Sequence, residues 1–187
     1  MKHTLLAIQI FMGLPEATAF HAQLQSLLAA APDGQTFGDK NNFYMQVLQI
    51  LRPYGLLIDR GVWDYVEDPD RAEAEWKDWT QGTVADAIEA KETESPFRGG
   101  RRYTFLTLLF LLAKGGATDR FICEHCRMSE DFMWRKGTFM YLLDAIPTMN
   151  FASVRSDAIY LRPGMGAPGV TEEELGLEHY SYLHTLT

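Results

Sequence analysis

The chain has 187 residues, 47% of them hydrophobic and 12% aromatic, and its 25 acidic against 17 basic residues give a net charge of −8. One well-buried core is expected at this length, so a single domain over 1–187 is predicted, and the apolar content excludes a chain left disordered for want of surface to bury. The basic residues gather into no stripe that would neutralise phosphates, which argues against nucleic acid as a partner.

Thr4 to Phe11 is an apolar run expected as a buried strand. A signal peptide is disfavoured because Gln9 interrupts the run and no small-residue cleavage site precedes the helix start at Pro15. Pro15 and Glu16 suit a first helical turn, and Ala17, Phe20, Leu24, Leu27, Leu28 and Ala31 recur at three- and four-residue steps until Pro32-Asp33-Gly34. A second helix is predicted with Asn42 as its cap, Tyr44, Val47, Leu48 and Leu51 facing inward, and Pro53 closing it. Tyr54 to Val66 is rich in β-formers with Asp59-Arg60-Gly61 as a turn signal, which predicts a hairpin or a strand with an irregular edge. A long helix follows from about Pro69 to Lys91, with Ala72, Trp76, Trp79, Thr83, Ala87 and Ile88 along one side and Gly82 placed to bend it. Glu94 to Gly100 is expected as a loop.

Arg101 to Lys114 reads RRYTFLTLLFLLAK, and Phe105 to Ala113 is broken only by Thr107. A strand apolar on both faces belongs inside a covered sheet, so this run is predicted as the central strand. Gly115-Gly116 then opens a connection holding Cys123-Glu124-His125-Cys126. Ser129 is expected to cap a helix with Phe132, Phe139, Met140, Leu143 and Ile146 inward, ended by Pro147. Met149 to Leu161 is predicted as one long strand or a hairpin about Arg155-Ser156-Asp157, with Pro163 to Gly169 as a turn. Thr171 and Glu174 form a capping box for a short helix, and Tyr180 to Leu186 is expected to return as a closing strand. The predicted fold class is α/β in the mixed α+β sense, with a single central sheet of about five strands covered by helices in the order βααβαβαβαβ.

Six stretches carry a family resemblance: Leu6 to Leu28, RPYG at Arg52 to Gly55, Ala72 to Ile88, Tyr103 to Gly115, AIYLRP at Ala158 to Pro163, and GVTEEELGLEHYSYLHTL at Gly169 to Leu186. In these the chain resembles a domain of unknown function found in cyanobacterial and plastid proteins, several of them associated with thylakoid membranes. The resemblance implies a mixed α/β fold, no established enzymatic activity and no catalytic residue to carry over. The CEHC segment stands outside the shared pattern.

Cys123-x-x-Cys126, with His125 between, is the only spacing that invites chemistry. A structural zinc site needs four ligands, and neither a second CxxC nor a paired histidine completes one, so no metal is predicted. A CxxC ahead of a helix can have its first thiol activated by the helix N-terminus, which makes thiol-disulfide exchange the alternative function. Against it, only 20 residues separate Cys126 from Pro147, too few for the elements a thioredoxin-like fold places there. The carboxylates Asp64, Glu67, Asp68, Asp70, Glu73 and Glu75 lack the spacing of a calcium loop and suit a solvated helix start. Trp76 and Trp79, three residues apart on an amphipathic helix, are expected in the core rather than around a flat ligand.

No catalytic constellation emerges and no cofactor is expected. The leading expectation is a non-enzymatic interaction or assembly module acting through a protein partner or self-association. Two cysteines form no disulfide framework, so a reducing, cytoplasmic setting is expected. The longest apolar run falls short of the ~20 residues of a spanning helix, which leaves only peripheral membrane association open.

Overall fold

The computed structural model describes residues 2–14, 16–31, 36–92, 101–164 and 169–187, with the backbone alone for 82–92 and 179. Two twelve-residue strands, β1 (His3–Leu14) and β3 (Arg102–Ala113), form its centre and pair antiparallel from His3↔Ala113 to Leu14↔Arg102. Both are apolar on both faces, and Leu108 and Leu109, on opposite sides of β3, are 1% and 0% exposed. Strands β2 (Ile58–Val66) and β4 (Val154–Arg162) flank this pair, and β6 (His184–Thr185) lies outside β2. The order is β4-β3-β1-β2-β6, with the two-residue β5 (Val170–Thr171) also pairing with β3, and every pairing is antiparallel.

Alternation along the strands divides the core. Leu6, Ile8, Ile10 and Met12 of β1 join Leu106, Leu108, Phe110 and Leu112 of β3 on one face. That face is packed by α1 (Thr18–Ala30), α2 (Phe37–Leu51), α4 (Ala117–Cys126) and α6 (Lys136–Ala145). On the opposite face Leu5, Ala7, Leu109 and Leu111 meet Ala72, Trp76 and Trp79 of α3 (Pro69–Glu92), so the tryptophans do pack against the core. Beside them Phe11 stacks on Phe105 at 4.7 Å under Leu175, which ends the short α7 (Glu172–Leu175), and Tyr180. The seam between these two clusters is polar. Gln9 donates to the Thr107 hydroxyl at 2.9 Å and accepts from the Tyr182 hydroxyl at 2.9 Å.

The mixed α/β class holds, and the element order agrees with expectation as far as β3, after which α4 stands where a connection was expected. The full order is βααβαβαααββαβ, and the differences have local causes. The cap of α2 is Thr36, whose hydroxyl and Asp39 form a capping box, while Asn42 lies inside the helix. Asp59-Arg60-Gly61 is no turn. Asp59 is the extra residue of a bulge against Phe11 and Met12, and Gly61 is small because a Cβ there would come within 2.7 Å of the Phe139 ring. The helix expected from Ser129 is split into α5 (Glu130–Met133) and α6, because the chain end intervenes. Thr187 N–H donates to Trp134 C=O and Lys136 N–H to Thr187 C=O, and Phe132 is exposed rather than inward. Met149 to Leu161 holds a single strand, β4, with no hairpin, and the expected closing strand shrinks to β6. The backbone of α3 continues through position 82, and the capping box of Thr171 and Glu174 is present. The predicted loop over Glu94 to Gly100, Pro15, and most of the turn from Pro163 to Gly169 lie outside the described residues. No helix among the described residues is long and apolar enough to cross a membrane.

Candidate functional site

Beyond Gly61 the outer edge of β2 is no longer covered by β6, which pairs only with Arg60 and Gly61 and extends the contact through Leu186 N–H to Asp59 C=O. A cleft of about 350 Å³ opens there. One wall is Trp63, Asp64, Tyr65 and Val66 of β2 with Glu67 and Asp68 after it, and the facing wall is Cys123, Cys126, Arg127 and Met133. Arg71 of α3 also lines it.

Local sequence positions each wall. Gly115 adopts a left-handed φ of 76°, and its N–H donates to the Asp119 carboxylate at 2.6 Å, which starts α4. The opposite oxygen of Asp119 accepts from the hydroxyls of Thr4 on β1 and Tyr65 on β2. This buried carboxylate therefore ties α4 to two strands. Cys123 sits one turn after Asp119, and Cys126 one turn after the buried Ile122, so both thiols come to the side facing β2. Asp68 accepts from the N–H groups of Asp70 and Arg71 and caps α3, which fixes the acidic rim.

The expected connection around CEHC is the C-terminal half of α4. Its thiols lie at the negative end of the helix rather than ahead of a positive one, and a thiolate is opposed there. Burial raises the Cys123 pKa above that of a free thiol, reinforced by the hydrogen bond it donates to Glu67 Oε1 at 3.4 Å and only partly offset by Arg127. Burial pushes Cys126 up to about 12, with Cys123 and Asp64 adding to the effect. Asp64 is itself raised, by burial and then by Glu75, and the Tyr65 N–H partly offsets this. His125 is separated from the thiols. Its Nδ1 lies 2.9 Å from Phe121 C=O and its ring stacks on Tyr141 of α6 at 4.8 Å, outside the cleft.

Of the carboxylates grouped in the sequence, the structure brings only Asp64, Glu67 and Asp68 into the cleft. Glu73 pairs with His3 at 2.9 Å and Glu75 with Arg71 at 2.7 Å. No group of three or more metal-ligating side chains is assembled among the described residues. Tyr65, Asp119 and Met133 escaped sequence reasoning, whereas Arg127, expected as a cation beside the thiols, does line the cleft. The spacing of Thr118, Ile122 and Cys126 at four-residue steps was the available signal that the CEHC segment is helical and faces inward.

Comparison with family models, with curated proteins and with solved structures finds no match.

Proposed function

We propose that this protein is a non-enzymatic interaction module that receives a protein partner in the cleft beside β2. The observation that carries the reading is the setting of the two thiols. They are the cleft's nucleophiles, yet both are held protonated at the wrong end of a helix, beside carboxylates. What the cleft offers instead is a strand edge, an apolar wall where the largely buried Trp63 donates its indole N–H to Met133 C=O at 3.0 Å, and an acidic rim. The family resemblance, which implies no catalytic residue, agrees with this.

Two measurements test it together. In an insulin-reduction assay, turnover should not exceed that of the Cys123→Ser, Cys126→Ser double variant. A photo-crosslinking amino acid replacing Met133 in the cleft wall should give a discrete protein adduct in cells, while the same group at the exposed Gln23 of α1 gives none. Insulin reduction abolished by Cys123→Ser, or equal labelling from both positions, overturns the reading.

A further inference from the structure

We propose that the edge of β2 from Val62 to Val66, which no strand among the described residues covers, takes an extended segment of a partner protein as an added strand, and that this segment alternates apolar and basic side chains. The inference rests on the interaction-module reading and names the chemistry of its partner.

The molecule's own chain shows that this edge accepts a strand. β6 pairs antiparallel with Arg60 and Gly61, and Leu186 N–H reaches Asp59 C=O. In a strand the main-chain groups alternate between its two neighbours, so Asp59 and Gly61 serve β6 while Arg60, Val62, Asp64 and Val66 serve β1. Trp63 and Tyr65 therefore direct N–H and C=O outward, into the cleft. Such an edge is a template for strand addition.

Side-chain alternation sets the occupant's pattern. Successive residues of an added strand point to opposite faces. On the helical face they meet Trp63, Cys126 and Met133, which favours apolar side chains. On the other face they meet Asp64, and Glu67 and Asp68 lie at the end of the strand. The two arginines there are already engaged, Arg71 with Glu75 at 2.7 Å and Arg127 with Glu124 at 2.6 Å. An incoming Lys or Arg would pair with the carboxylates of Asp64, Glu67 and Asp68 that line the cleft. The same charges select against a second copy. Edge-to-edge pairing of two copies would set these carboxylates against their counterparts, on chains that each carry −8.

The probes are end-blocked octapeptides alternating lysine and valine, the glutamate and valine counterpart, and the basic peptide N-methylated on alternate backbone nitrogens. Amide hydrogen exchange at Trp63 and Tyr65 is read by NMR at saturating peptide. The basic peptide should slow both amides at least tenfold, and the acidic and N-methylated peptides should not. In an Asp64→Lys, Glu67→Lys variant, checked for an unchanged fold by circular dichroism, the preference should reverse to the acidic peptide. Equal protection by both peptides, retention of binding on N-methylation, or sedimentation showing a dimer that shields the same amides each overturns the proposal. If the Met133 position still captures a partner while the basic peptide protects nothing, strand addition falls and the module reading stands. Insulin reduction dependent on Cys123 removes the module reading itself.

Discussion

Asp119 is the residue on which the site most depends, because one buried carboxylate serves Thr4, Tyr65 and Gly115 at once. Removing it leaves the buried Thr4 hydroxyl and the Gly115 N–H without their acceptor, and leaves the half-buried Tyr65 hydroxyl only the long contact to Asp119 C=O at 3.5 Å. Asp119→Ala should therefore cost about 2 to 4 kcal/mol in urea denaturation, and Asp119→Asn less because its amide oxygen still accepts. The thiols give a second expectation. Cys126 binds its proton up to about 12 in the native state, whereas an unfolded thiol releases it near ~8.5. Between those values the unfolded chain holds fewer protons, so stability falls as pH rises from ~8.5 toward about 12. In Cys126→Ala this part of the fall should be absent, as thermal melts across the alkaline range would show. Alkylation of Cys123 should likewise show a midpoint above the ordinary ~8.5, and one below neutrality would restore the dithiol as a catalyst. At this scale the sequence was half legible. The CxxC spacing was visible, but whether its thiols are activated depends on the end of a helix and on Glu67, 56 residues away.

At the scale of elements, β3 was the most legible, because an apolar run flanked by paired glycines has few other solutions. Leu108→Asp or Leu109→Asp would bury an uncompensated charge on either face and should cost about 4 kcal/mol or more, leaving little folded protein. Gly61 was misread for a physical reason. A glycine between Asp-Arg and Val looks like a turn locally, but its small size serves a contact with Phe139, 78 positions later. Gly61→Ala places a Cβ 2.7 Å from that ring and 2.8 Å from the Gln9 carbonyl oxygen. It should destabilise by about 1 to 3 kcal/mol, with Phe139→Leu partly rescuing it in a double-mutant cycle. Were the glycine present for a turn, Phe139→Leu would rescue nothing.

For the whole molecule, hydrophobic alternation made the layered plan legible, and the return of Tyr180 to Leu186 as a closing strand was legible too, whereas its length was not. The pairing is confined to the last four residues, because 178–180 form a 3-10 turn before them. Yet His184 and Thr185 pair with β2, Trp134 stacks on His184 at 3.6 Å, and Thr187 bridges to Trp134 and Lys136. Leu186 anchors this segment by inserting into the main core cluster at 5% exposure. Leu186→Ala should cost about 2 to 4 kcal/mol through the cavity it leaves. The larger consequence follows from position, since weakening the anchor frees the Asp59 to Gly61 edge and makes it continuous with the open stretch at Trp63 and Tyr65. A longer bare edge pairs more readily with other chains, so the variant should self-associate at concentrations where the parent stays monomeric. Sedimentation velocity, with amide exchange at Gly61 as the local probe, reads both effects. Fast exchange at Gly61 together with an unchanged monomer would mean that the acidic rim alone keeps copies apart.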